Sequence, residues 1–241
     1  MAIPRPQTRQ FEAFMTNLSY ARRMVETGRM LTPFRSPTID IDDFYRAAWV
    51  QAVGAIDHWL HEEVLRRVAE LAGRDSPDMP YQLRMYELPL FRVEAVRRGD
   101  VTLADAVVEH LRDKLAGQAL QHPGKISEVL KLVTEEKVWY EAAGRINDWF
   151  QGRTNLNEKK LRSRYLEITQ RRNKIAHDAD LIDGDLEQRR PIDEAEVTDA
   201  IDWIERIALA IVHVLDADSD GDGDHQVNGG QGVAGPTPAA S

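Results

Sequence analysis

Apolar residues along this chain recur every three or four positions rather than every second one. In QFEAFMTNLSYARRMVETG, Phe11, Phe14, Leu18 and Val25 share one side of a helix. Gly28 and then Thr32-Pro33 are expected to stop it. A connector with Pro37 and the acidic run DIDD leads into a long predicted helix from Asp42 to Ala72, ended by Gly73. Residues 74 to 100 hold Pro77, Pro80, Pro89 and Gly99 and predict only a short helix around Phe91 to Arg97. Thr102 is the predicted N-cap of TLADAVVEHLRDKLAG, which ends near Gly117. One or two helices follow Pro123, and a polar QGRTNLN precedes another over NEKKLRSRYLEITQRRNKIAHDADLID. After the loop GDLEQRRP, the last helix runs from Asp193 to Leu215, with Val197, Ile201, Ile204, Ala208, Ile211 and Leu215 on one stripe. No strand-period alternation of useful length occurs, and no repeat of about 20 to 50 residues is visible. The predicted fold is all-α, a helical bundle. It divides into an N-terminal helix and connector (1–39), a helical domain (40–216) and a tail (217–241).

Composition changes this picture mainly at the C-terminal end. The tail is rich in Asp, Gly, Pro and Ala, too polar to offset its ordering entropy, so disorder is expected there. Its alternating aspartates resemble a calcium loop, but the twelfth position, which should be Glu, is Val227 or Gly229 in the two registers. That excludes the EF-hand mode. The chain has no Cys, which excludes disulfides, thiolate metal sites and a Cys nucleophile. MAIPRPQTRQ has no apolar run, so no secretory signal is predicted, and no apolar stretch is long enough to span a membrane. A cytoplasmic protein is expected. The net charge is −9, and five of the acids lie from Asp216 onward. The body holds 31 basic and 35 acidic residues, or −4. Such a body does not grip a long duplex electrostatically, so any contact with RNA should be local.

Candidate chemistry concentrates in RRNKIAHDAD, residues 171–180. At about 100° per residue, Leu161, Tyr165, Ile168, Ile175, Ala179 and Ile182 form one stripe, and Arg172 falls near its middle. Arg171 points elsewhere and is expected to be exposed. Asn173 and His177, four apart, stack on the neighbouring flank. In the second helix, Val50, Val53, Leu60, Val64, Val68 and Leu71 form a stripe with Asp57 near its middle and His61 beside it. Two opposite charges in apolar seams are most simply satisfied by pairing Asp57 with Arg172. Such a pair could be purely structural, setting helix register. On that expectation, Arg172→Ala strands Asp57 at a cost of about 3–5 kcal/mol. His58 and His61 read as structural or solvated, and no metal constellation or cofactor motif is present. Arg, His and Asn together supply the functions that attack of a ribose 2′-hydroxyl on the adjacent phosphate requires: a charge stabiliser, a proton acceptor and a positioning group.

The run from Arg172 to His177 resembles the R-x4-6-H motif of the HEPN superfamily, with a polar residue, Asn173, directly after the arginine. RSRYLEITQRRNKIAHDAD is similar to HEPN families of the RiboL-PSP type. AAWVQAVGAIDHWLHEEV resembles their first core helix, with Asp57 as the acidic residue, and LQHPGKISEVLKLV their middle segment. The resemblance covers most of residues 40–215. It implies a helical bundle that dimerises, and a metal-independent endoribonuclease in a toxin or phage-defence setting. It implies His177 as general acid or base, Arg172 as stabiliser of phosphate charge, Asn173 as a positioning residue and Asp57 as the group holding Arg172. Arg172 and His177 lie roughly 140° apart around one helix, so a homodimer is predicted to bring two motifs together. The alternative is a non-catalytic dimeric HEPN module for binding or scaffolding. A partner encoded nearby, such as an antitoxin, is a further possibility. Trp139, Trp149 and Trp203 are expected in the core or at an interface.

Overall fold

The computed structural model describes residues 3–34, 36, 40–74 and 79–221, with the backbone alone from 218. Among these residues there are nine α-helices and no strand. They are α1 (Arg9–Leu31), α2 (Asp42–Ala72), α3 (Tyr81–Arg84), α4 (Leu90–Arg98), α5 (Leu103–Leu115), α6 (Pro123–Leu130), α7 (Val138–Trp149), α8 (Glu158–His177) and α9 (Glu194–Gly221). A single 3-10 turn over Thr32–Phe34 follows α1. No helix of the described residues is long and apolar enough to cross a membrane.

α2 is the central element, packed by α1, α5, α8 and α9, while α7 closes the bundle against α8 and α9. α1 begins at Thr8, whose side chain accepts from the Phe11 amide, and buries Phe11, Phe14, Leu18 and Val25 as the spacing predicts. Phe11 and Phe14 meet Trp59 of α2 with ring centroids 5.9 and 5.6 Å apart, one edge-on and one tilted. Gly28 does not stop α1. It lies inside the helix, where a β-carbon would stand 2.8 Å from the Tyr45 ring, so glycine permits α1 and α2 to approach.

Trp49 of α2 donates its indole N–H to the Ile168 carbonyl at 2.9 Å, fixing α8 against α2. α8 starts at the Asn157 cap and buries Leu161, Tyr165 and Ile168. The predicted stripe then fails. The helix ends at His177, Ile175 is only partly buried, Ala179 is exposed and Ile182 is 38% exposed. Ala179 and Asp180 take left-handed conformations, φ 49° and 60°, which a continuing helix cannot contain. Periodicity extrapolated through this turn therefore assigned those side chains to the wrong face.

Two other differences are local, at α3 and at the end of α9. α3 was not anticipated, because its four residues carry too little pattern. The helical span after Pro123 is two helices, α6 and α7. α9 continues through Gly221 instead of ending at Leu215, so residues 217–221 are helical. Arg67 of α2 pairs with Asp216 and donates to the Leu215 carbonyl at 2.9 Å, anchoring that end. The predicted disorder of 222–241, and the connector at 37–39, lie outside the described residues.

Candidate functional site

α8 presents its motif to two separate concavities. The first is a cleft of about 500 Å³ between α2 and the loop joining α5 to α6, lined by Asp57, His61, Arg112, Gln118 and Arg172 among others. The second is an open groove of about 710 Å³ lined by Gln170, Arg171, Asn173, Lys174, His177 and Arg190, with Glu167 and Asp178. Arg172 and Asp57 thus share one concavity, while Asn173 and His177 share the other. One chain does not bring all four together.

The expected Asp57–Arg172 ion pair is not formed. Asp57 is only partly buried, and its Oδ1 accepts from the Leu120 amide at 2.6 Å. Tyr165 donates its hydroxyl to the carbonyl of the same residue at 3.1 Å. Burial pushes the Tyr165 phenol well up from its ordinary value, and the Asp57 charge adds to that. His61, one turn on from Asp57, reaches the Gln118 carbonyl at 3.0 Å. Asp57, His61 and Tyr165 therefore hold the loop that precedes α6. The Asp57 carboxylate is taken by the Leu120 amide, while Arg172 turns its Nη1 to Asn173.

Arg172 is left differently from its neighbours. α8 carries four arginines, and among the described residues the other three are ion-paired: Arg162 with Glu158, Arg164 with Glu167 and Asp199, Arg171 with Asp180. Among the described residues, Arg172 has no such partner. Its Nη1 donates to the Asn173 side-chain oxygen at 3.0 Å, and its buried Nε has no hydrogen-bond partner among them.

Arg171, expected to be exposed, is half-buried like Arg172 but ion-paired. Its side chain is 13% exposed, and its Nη2 donates to Asp180 Oδ2 at 2.9 Å. Asp180 is fully buried, and the same oxygen accepts from Arg46 Nε of α2 at 3.0 Å. Sequence reasoning missed Asp180 and Arg46 because a straight helix was projected through residue 180. The two-arginine environment of Asp180 depends on a turn that periodicity does not report.

The second groove is edged by a surface ion-pair chain. Lys174 Nζ lies 2.7 Å from Asp183, which also meets Arg190 at 3.1 Å. Hydrogen bonding to Asp183 and Asp178 raises Lys174, and the Lys174 bond holds the Asp183 carboxyl below its usual range. Asn173 and His177 are exposed beside this chain. Among the described residues, no three His or carboxylate side chains converge as a metal site requires. Trp139 is buried in the core, Trp149 and Trp203 are half-buried, and Tyr140 is exposed.

Fold and site define an all-α bundle with a polar helix terminus open to solvent on two sides. Compared with known families, curated proteins and solved structures, the chain matches none of them.

Proposed function

We propose that this protein is a metal-independent endoribonuclease of the HEPN type, acting as a homodimer on single-stranded or loop RNA in a toxin or phage-defence setting. The observation that carries this reading is the state of Arg172, the arginine of α8 without a carboxylate among the described residues. A guanidinium held by a neutral amide keeps its charge and donors available to a phosphate. In the proposed reaction, His177 takes the proton of the ribose 2′-hydroxyl. The 2′-oxygen bonds to phosphorus and the P–O5′ bond breaks. The leaving 5′-oxygen takes the proton that His177 removed, giving a 2′,3′-cyclic phosphate and a 5′-hydroxyl and restoring the neutral imidazole. Arg172 stabilises charge on the phosphate oxygens in between, and Asn173 aims it.

Within a chain, Arg172 and His177 open to different concavities. The reading therefore uses one chain's Arg172 with the partner chain's His177 across a two-fold axis. The same separation favours a second reading, a dimeric HEPN module that binds without cleaving. An antitoxin-like partner encoded nearby would regulate either form. Incubation with total RNA plus EDTA separates the two. Cleavage that persists in EDTA and is lost in a folded, dimeric His177→Ala variant supports the nuclease. Equal inertness of wild type and variant leaves the binding module.

A further inference from the structure

We infer that Asp180 is a positioning residue that holds the turn after α8 and thereby sets where the His177 imidazole stands. The inference rests on the role proposed for His177. Among the described residues the His177 side chain has no hydrogen-bond partner, so the backbone alone positions it. That backbone leads directly into Ala179 and Asp180, both left-handed at φ 49° and 60°. L-residues other than Asn and Asp avoid this region, and it persists only where surrounding structure imposes it. Helices that merely stop place glycine at such a position.

The imposing structure converges on Asp180. Its carboxylate takes Arg46 at 3.0 Å and Arg171 at 2.9 Å, and its amide donates to the Lys174 carbonyl at 2.9 Å. Its own carbonyl accepts from the Arg190 amide at 2.8 Å. The two arginines continue into the returning loop, Arg46 to the Arg190 carbonyl at 2.8 Å and Arg171 to the Pro191 carbonyl at 3.1 Å. Asp180 thus ties α2, α8 and the loop over 181–191 at one point. Its other oxygen, Oδ1, is buried without a partner among the described residues, a cost that a simple helix stop does not carry.

The test compares wild type, Asp180→Ala, Asp180→Asn and Leu111→Ala, the last a core variant on α5. Two readouts are made where melting curves show every variant folded. One is the ring 1H–13C signal of His177, assigned by its loss in His177→Ala. The other is kcat and KM on a single-stranded RNA oligonucleotide. Asp180→Ala is expected to displace the His177 signal and lower kcat about 10- to 100-fold with KM little changed. Asp180→Asn, which tolerates the left-handed turn, should give a smaller displacement in the same direction. It carries the test alone if the alanine variant does not fold. Leu111→Ala should move neither readout. A His177 signal unmoved in both Asp180 variants overturns the proposal, as does a displaced signal in Leu111→Ala of equal size. A displaced signal in Asp180 variants of a protein that cleaves no RNA supports the positioning role and sinks the nuclease reading instead.

Discussion

Asp57 and Leu120, 63 positions apart in the chain, are joined by a 2.6 Å hydrogen bond from the Leu120 amide to the Asp57 carboxylate. With Tyr165 on the carbonyl of the same residue, both sides of one loop residue are held by side chains of α2 and α8. The acid on the apolar stripe of α2 is therefore a loop anchor. Its removal leaves a part-buried amide without its charged acceptor, at about 1.5–3 kcal/mol. Asp57→Ala should lose that much in urea unfolding, and Asp57→Asn, which keeps an acceptor, clearly less. Because Arg172 does not share the interaction, Asp57→Ala and Arg172→Ala should be additive to within about 0.5 kcal/mol. A coupling energy well above that would restore the ion pair between them.

The two adjacent arginines should differ sharply. Arg171→Ala leaves the fully buried Asp180 with Arg46 as its cation, and losing one hydrogen bond to a buried charged group costs about 1.5–3 kcal/mol. Arg172→Ala breaks no ion pair among the described residues and should cost under about 1 kcal/mol. Equal losses in chemical denaturation would contradict the geometry.

Ala179 offers a stabilising change. Its left-handed conformation, φ 49°, costs an L-residue about 1–2 kcal/mol that glycine does not incur. Glycine also loses more freedom on folding, so Ala179→Gly should gain about 0.5–1 kcal/mol. Thermal melting checks the sign. A fall in Tm would mean that the alanine side chain contributes packing that its exposure does not indicate.

Acid sensitivity should trace to Glu63. Burial alone would raise its carboxyl, but the hydrogen bond from Arg66 and the charges of Arg67 and Arg66 outweigh it and hold it below the usual range. Arg66 and Arg67 lie 2.6 and 2.7 Å from the same oxygen. A depressed folded pKa means the network's contribution is complete above the unfolded value, about 4.3. It is lost as pH falls through the lower, folded value. Glu63→Gln should be destabilised by about 3 kcal/mol at neutral pH and should show a flatter decline below about pH 4.3. Urea midpoints across the acid range report this, and parallel curves for the two proteins would assign the acid limb to other groups.

Much of the helical frame is legible in the spacing of apolar residues alone. The stripe of α9 and Phe11, Phe14, Leu18 and Val25 of α1 are all buried, and the bounds of α2 are those read from its flanks. Thr102 caps α5 as its residue type and spacing imply. Helical periodicity transmits this information because burial of one face is a local, repeating property. The candidate site was less legible. Arg172, Asn173 and His177 were found as a group, and Asn173 and His177 do share one groove, but the Asp57 partner assigned to Arg172 is not the one it has.

Sequence by itself determined the all-α class, the placement of the long helices and the concentration of Arg, Asn and His near the end of α8. These follow from periodicity and capping, which depend on neighbours within a few residues. Tertiary structure decided which arginine is ion-paired, which acid holds a loop, and where α8 stops. The first and the last depend on one left-handed turn and on Arg46, more than a hundred positions from Asp180, and the second on a contact between residues 63 positions apart. No local pattern encodes the pairing of Arg46 with Asp180, because it exists only after α2, α8 and the returning loop have met.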